Sequence, residues 1–230
     1  MFPLFLFQPA LPAADTTAAT VQSFSLLDII VSGGILGILN VVAQVALALI
    51  AVYIIVERYF TIKRAGEVDD NFMNLIRTHV QNADIQAALT LCRNTDTPVA
   101  RMVGKGLQRI GKPLADIRDS VENVGNLEIY KLENRISMIA TISGACPMIG
   151  FLGTVTGMIQ AFYTMSSTNN VTPQALASGI YQALITTAFG LVVGIVCFMA
   201  YNTFIASVDR VVFKMEAATL EFLDLLQEPA

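Results

Sequence analysis

Charge is missing from long parts of this 230-residue sequence, of which only 14% is Asp, Glu, Lys or Arg. An ordinary soluble domain carries about 25% charged residues. Residues 1–57 contain no Lys or Arg, and residues 136–208 contain no Asp, Glu, Lys, Arg or His. Because a charge at the centre of a bilayer costs about 2.5–3.5 kcal/mol on insertion scales, these gaps predict helices embedded in a membrane.

The residue types that build metal sites, disulfides and catalytic centres are also scarce. The sequence has one histidine, His79, and three cysteines, Cys92, Cys146 and Cys197. No two cysteines have zinc-ligand spacing, and two of them fall inside predicted spans, so we expect neither a zinc site nor a disulfide framework. An intramembrane enzyme would need a Ser–His pair, paired Asp or a metal cluster in the spans. Because residues 136–208 contain no charged residue and no histidine, we expect no enzymatic activity and no cofactor. The lack of a basic run with interleaved aromatics also argues against nucleic acid as a partner.

The hydrophobic residues, 54% of the chain, form three runs long enough to cross a bilayer core of about 30 Å. The first run ends at Arg58 and is followed by Lys63 and Arg64, and the third is followed by Arg210 and Lys214. The positive-inside rule places both of these ends in the cytoplasm and the N-terminus outside. The expected segments are an extracytoplasmic tail with an interfacial amphipathic helix (1–34), transmembrane helix 1 (35–56), a cytoplasmic helical domain (57–135), transmembrane helix 2 (136–163), a periplasmic loop (164–174), transmembrane helix 3 (175–206) and a cytoplasmic C-terminal helix (207–230).

Capping residues predict three helices in the cytoplasmic domain. Asn82 or Asp84 opens the first, and Thr97-Pro98 is an N-cap followed by proline at the first helical position of the second. Pro113 begins the third. No strong breaker separates it from Pro147, so we expect this helix to run without interruption into transmembrane helix 2. At the other end of the chain, whether the N-terminal segment is cleaved stays open, because its apolar start lacks the positive residues of a signal peptide.

The second and third spans each carry a face of small or weakly polar residues. On transmembrane helix 2 a stripe contains Ser143, Pro147, Gly150, Thr154, Met158 and Ala161. Transmembrane helix 3 carries Ser178, Gln182, Thr186 and Thr187. Helix packing alone would explain the glycines Gly150, Gly153, Gly157, Gly190 and Gly194, four of which form GxxxG pairs. An interhelical hydrogen bond would explain any single polar residue, but the whole set favours a lined pore.

Two stretches in these spans carry a more specific pattern. The motif A-C-P-x-x-G-x-x-G-T-V-x-G-x-I-x-x-F, from Ala145 to Phe162, resembles the ExbB/TolQ/MotA proton-channel family, as does G-I-x-x-A-L-x-x-T-A-x-G-L, from Gly179 to Leu191. The first span ending in Glu57-Arg58 and the stretch at residues 97–101 are similar too. The likeness covers most of the chain from about residue 25. Three spans, with the large loop after the first, resemble the ExbB and TolQ branch, whereas the flagellar branch has four.

The resemblance implies an all-α channel-scaffold subunit of a proton-driven motor in the bacterial inner membrane. It implies a ring of five subunits around an ExbD-like single-span partner that carries an essential Asp, and a TonB-like protein that energises outer-membrane transport. A TolQ-like role in envelope integrity, a non-conducting scaffold and sodium coupling stay open. The expected pore-lining residues are Thr154 and Thr187, which match the family's pore-facing threonines, together with Gln182, Thr186, Ser143, Pro147 and Ser178.

One of these positions departs from the family's pattern. Gln182 stands where the best-known members have glutamate, and glutamine does not titrate. The composition leads to the same point independently, since transmembrane helices 2 and 3 contain no Asp, Glu, Lys, Arg or His. We therefore expect a proton-carrying carboxylate to come from a partner.

Overall fold

The computed structural model describes residues 34–67, 71–167 and 173–227. Within these ranges the chain forms helices and no strand, which confirms the all-α expectation. The predicted interfacial helix before residue 34 lies outside the described residues. The helices are α1 (Gly34–Gly66), α2 (Phe72–Gln81), α3 (Ile85–Asn94), α4 (Pro98–Leu107), α5 (Leu114–Glu133), α6 (Ile136–Ser167) and α7 (Pro173–Gln227).

Three helices, α1, α6 and α7, contain stretches long and apolar enough to cross a membrane, which confirms three candidate spans. The third is one continuous helix of 55 residues, about 80 Å long, so it extends far beyond a hydrocarbon core of about 30 Å. The first continues past Arg58 to Gly66, and α6 continues to Ser167, four residues into the predicted loop. All three are therefore longer than the segments that the hydrophobic runs delimit.

The three long helices form a bundle in which α1 runs parallel to α7 and α6 runs antiparallel to both. Gly37, near the start of α1, lies against Gln182 near the start of α7. At the opposite end of α1, the Lys214 ammonium donates a hydrogen bond to the Gly66 carbonyl at 2.8 Å. Consequently α1 and α7 begin, and α6 ends, at the same end of the bundle, which we call the α6–α7 end.

Three of the four shorter helices, α3, α4 and α5, begin where the sequence predicts a helix start. The Asp84 carboxylate accepts a hydrogen bond from the Ala87 amide at 3.0 Å, and the Thr97 hydroxyl accepts one from the Ala100 amide at 3.3 Å. Both cap predictions are confirmed, as is proline at the first position of α4. This helix packs against the far half of α7, where Gly106 faces the fully buried Phe222 ring. The short helices thus share their core with the C-terminal part of α7.

The prediction of one uninterrupted helix from Pro113 into transmembrane helix 2 is wrong. Helix α5 ends at Glu133, and the chain turns at Asn134 and Arg135 before α6 begins at Ile136. Arg135 has a φ of 67°, in the left-handed region that costs a residue with a side chain about 1–2 kcal/mol. Some other interaction must therefore hold the turn in place.

That interaction comes from α1. Arg58 is only 7% exposed, and its guanidinium donates to the carbonyls of Lys131 and Asn134 at 3.1 and 3.0 Å. These carbonyls lie at the end of α5, where helical carbonyls lack a partner within the helix. Glu57 accepts from Arg58 and from Arg135, each at 2.8 Å. Hydrogen bonds to charged groups contribute about 1.5–3 kcal/mol each, so the set outweighs the strain of the turn.

Replacing Arg58 tests this set of hydrogen bonds at the α5–α6 turn, which we call the Arg58 clasp. Arg58→Ala leaves the two carbonyls without their donor, and we expect a loss of about 2 kcal/mol, or roughly 4–8 °C in the thermal midpoint. The midpoint is measured by circular dichroism on the detergent-solubilised protein. Arg93→Ala, an exposed position on α3, is the matched control and should leave it within about 1 °C. Equal midpoints for the two variants would contradict the clasp.

Candidate functional site

Helices α6 and α7 approach closely because glycines line their seam. A Cβ on Gly190 would lie 2.7 Å from the Cys146 carbonyl oxygen, and one on Gly194 would lie 2.5 Å from the Pro147 ring. Only glycine at these two positions lets the α7 backbone come this close to the Cys146 carbonyl and to the Pro147 ring. On α6, Gly150, Gly153 and Gly157 face α7 in the same way. The structure thus places all five candidate packing glycines at this one seam.

One candidate pore residue donates a hydrogen bond across the seam. The half-buried Thr187 hydroxyl donates to the Gly150 carbonyl at 2.7 Å. A methyl group on Gly150 would lie 3.1 Å from the Thr187 Cα, tighter than ordinary contact. Glycine at 150 therefore allows the hydroxyl to reach a carbonyl on the neighbouring helix.

Two amides on α1, which the sequence analysis did not single out, complete the interior of the bundle. Asn40 donates to the Ile149 carbonyl at 2.8 Å, and Gln44 donates to the Thr186 carbonyl at 3.1 Å. Gln44 is 1% exposed and Asn40 is 8% exposed. They stand four residues apart, on one face of an otherwise apolar run. That spacing is a signal of interhelical hydrogen bonding that could have found them.

A cavity of about 190 Å³ lies between α1, α6 and α7 toward the α6–α7 end. Its polar side chains are those of Asn40, Thr156, Gln160, Thr164, Ser178, Gln182 and Thr186. All of them are neutral amides or hydroxyls. The arrangement can therefore hydrogen-bond water or offer oxygen atoms to a cation, but it cannot bind and release a proton.

The structure divides the seven candidate pore-lining residues among different environments. Gln182, Thr186 and Ser178 meet at the cavity, and the first two are 7% and 6% exposed within the single chain. Thr187 lies at the α6–α7 seam, as does Pro147, which packs against Gly194, and the half-buried Ser143 lies one turn before that proline. Thr154 lies about 100° around α6 from the cavity residue Gly153, and its hydroxyl donates to its own helix at Phe151.

Across the described residues, no group of three or more His, Cys, Asp or Glu side chains lies close enough together to hold a metal ion. The chemistry available in the bundle is therefore that of backbone carbonyls, amides and hydroxyls.

A pair of glycine variants tests the seam. Gly190→Ala forces a methyl group against the Cys146 carbonyl, and such overpacking costs about 1–3 kcal/mol. Gly144→Ala is the matched control on α6, because a Cβ there meets nothing within 4 Å and alanine favours a helix by about 1 kcal/mol. We expect a lower thermal midpoint only for Gly190→Ala. A midpoint for Gly190→Ala that equals or exceeds that of Gly144→Ala would refute the close approach.

The sequence of these helices matches a known protein family. Residues 94–217, more than half of the chain, match the model of the MotA/TolQ/ExbB proton channel family. That range contains α4, α5, α6 and most of α7, and so both motif stretches of the membrane helices.

Individual relatives carry two kinds of name. The chain is 47% identical over 77 residues to the Tol-Pal system protein TolQ of Haemophilus influenzae, covering 34% of each protein. It is 28% identical over 175 residues to the ExbB-like 3 protein of Synechocystis sp., covering 75% of this chain and 81% of that one. It is 34% identical over 89 residues to the biopolymer transport protein ExbB of Xanthomonas campestris, covering 39% and 35%. The first and third alignments thus span only about a third of the relative's length.

Proposed function

Because the chain belongs to the MotA/TolQ/ExbB proton channel family, we propose that it is the channel-scaffold subunit of a motor driven by the proton-motive force. It works in the bacterial inner membrane with an ExbD-like single-span partner and energises TonB-dependent transport across the outer membrane. The observation that carries this proposal is the combination of three apolar helices with a polar interior and no Asp, Glu, Lys, Arg or His over residues 136–208.

In this proposal the conduction path belongs to this chain, and the carboxylate that binds the proton belongs to the partner. Amides, hydroxyls and water can conduct along a path, but a carboxylate must take up and release the proton. The amide of Gln182 keeps this position neutral and, unlike a carboxylate, does not take up or release a proton. The partner's essential Asp supplies the titrating group. A proton crossing about 150 mV releases roughly 3.5 kcal/mol from the electrical term, enough to drive a step between ring and partner.

The outer faces of the bundle support assembly within a membrane. Large apolar side chains are exposed along α6 and α7, among them Met148, Phe151, Ile159, Val192, Phe198 and Met199. Exposed apolar surface on this scale fits contact with lipid and with other copies of the chain. Five copies form a ring around the partner, and Thr154 and Thr187 face the pore.

The charge distribution supports one orientation in the membrane. Lys63, Arg64, Arg210 and Lys214 all lie at the end of the bundle opposite the α6–α7 end. The positive-inside rule places that end in the cytoplasm. The N-terminus and the α6–α7 end are then periplasmic, and the short helices and the C-terminus are cytoplasmic.

A TolQ-like role in envelope integrity is the second candidate, because the 47% identical segment belongs to a TolQ protein. The two roles differ in the third component. Capture of a TonB-like protein by the purified complex, rather than a TolA-like one, supports the first role, and the reverse supports the second.

Assembly is tested by native mass spectrometry of the chain purified with and without a co-expressed ExbD-like partner. We expect a five-fold ring that retains additional partner copies, because the partner supplies the missing carboxylate. A monomer or dimer that ignores the partner would rule out the motor.

Threonine-to-valine variants test the conducting role, because valine keeps the shape and removes the hydroxyl. Thr154→Val and Thr187→Val should abolish partner-dependent energisation, read as growth that depends on outer-membrane import, while the complex still assembles. Thr203→Val is the matched control for Thr154, since both hydroxyls donate only to their own helix, at Met199 and Phe151 respectively. Thr187→Ser, which keeps the hydroxyl, should restore activity. Full activity in both valine variants would favour a non-conducting scaffold.

A further inference from the structure

The cavity within the bundle ends at a polar floor. Asn40 and Gln44 reach across from α1 and donate to the carbonyls of Ile149 and Thr186, one on α6 and one on α7. With Gln44 1% exposed, these two amides close the interior at the level of Thr186. The cavity therefore reaches inward from the α6–α7 end and stops at this floor.

One atom of the floor has no hydrogen-bond partner among the described residues. The Asn40 Oδ1 atom is buried and accepts no hydrogen bond from them, and Asn40, 8% exposed, lines the cavity. An unsatisfied buried acceptor costs about 1–3 kcal/mol. Gly153 places no side chain against this oxygen, whereas a Cβ there would lie 3.2 Å from it and 2.5 Å from the Thr186 hydroxyl. The position is therefore suited to a small donor from outside the chain.

The cavity wall continues the polar surface from the floor to the α6–α7 end. Along α6, Thr156, Gln160 and Thr164 recur at intervals of four residues and so share one helix face. Ser178 and Gln182 stand opposite on α7. Water takes about 30 Å³ per molecule in the liquid, so a cavity of about 190 Å³ has room for several molecules with polar partners.

We propose that this cavity is a water-filled inlet inside each subunit, leading from the periplasmic end of the bundle to Asn40, Gln182 and Thr186. Water donates to the Asn40 oxygen and forms a chain along the α6 face. The inlet brings solvent to the depth of Gln182 within one subunit, separate from the pore between subunits. This inference rests on the proposed function for its orientation and its purpose, but its hydration does not depend on the partner.

Cysteine accessibility in the assembled complex tests the inlet directly. Thr156→Cys and Gln160→Cys place a thiol on the cavity wall, and Val155→Cys and Ile159→Cys place one on the exposed apolar face next to each. A membrane-impermeant, charged methanethiosulfonate is added to the periplasmic face of spheroplasts. We expect the two wall positions to react at least about tenfold faster, since an apolar environment raises a thiol pKa and removes the reactive thiolate.

The native cysteines provide an unreactive background. Cys92, Cys146 and Cys197 are all buried, and burial raises the pKa of the Cys92 thiol to about 11. Thr186→Cys probes the floor and should react more slowly than Thr156→Cys but faster than Val155→Cys. Ser166→Cys, exposed near the end of α6, marks full access from the periplasm.

Equal, slow reaction at the wall and lipid-facing positions, with Ser166→Cys fully labelled, would overturn the inlet and indicate that lipid or a neighbouring subunit fills the cavity. Reaction of the wall positions only in inverted vesicles would overturn its periplasmic direction. Gel filtration shows that each variant assembles before labelling. Labelling needs neither transport nor a partner, so slow labelling of the wall positions would not contradict the proposed function. The proposed function is tested separately, by native mass spectrometry of the complex.

Discussion

The close approach of α6 to α7 is the constraint on which the rest of the bundle depends. Glycines at the seam bring the backbone of one helix against the other, so the Thr187 hydroxyl reaches the Gly150 carbonyl. Lipid offers no hydrophobic drive for helix association, so packing and interhelical hydrogen bonds must hold the pair together. With α6 and α7 fixed, α1 hydrogen-bonds to both of them through two buried amides, Asn40 and Gln44. Two of these glycines, Gly153 and Gly157, also line the cavity.

Local signals allowed the sequence to predict most of the fold. The caps at Asp84 and Thr97 lie within a few residues of the groups they bind, and the three apolar runs are visible in composition alone. The break between α5 and α6 was missed because it depends on Arg58, which lies 73 and 76 residues from the carbonyls it binds. No breaker residue marks it, since Arg135 has no ordinary preference for a left-handed conformation.

For the candidate site, too, the sequence predicted the residue types but not the long-range contacts. Residue types predicted that α6 and α7 would supply hydroxyls, amides and glycines but no Asp, Glu, Lys, Arg or His over residues 136–208. They did not predict that Gln182 and Thr186 would be covered by α1, because the face of α1 that docks is set by tertiary packing. The amides of that helix look like isolated polar residues in an apolar run until the carbonyls they bind are known. Neutral amides and hydroxyls that hydrogen-bond across helices cost less to bury in a membrane than charged side chains would.

The central claim is that this chain provides the path and a partner provides the carboxylate. Proton uptake into liposomes under an imposed membrane potential tests it most directly, comparing the chain alone, the chain with its ExbD-like partner, and the chain with a partner whose essential Asp is replaced by Asn. The account predicts uptake only with the intact partner. Rapid uptake by the chain alone would contradict it, because residues 136–208 would then have to carry protons without an Asp, Glu, Lys, Arg or His side chain.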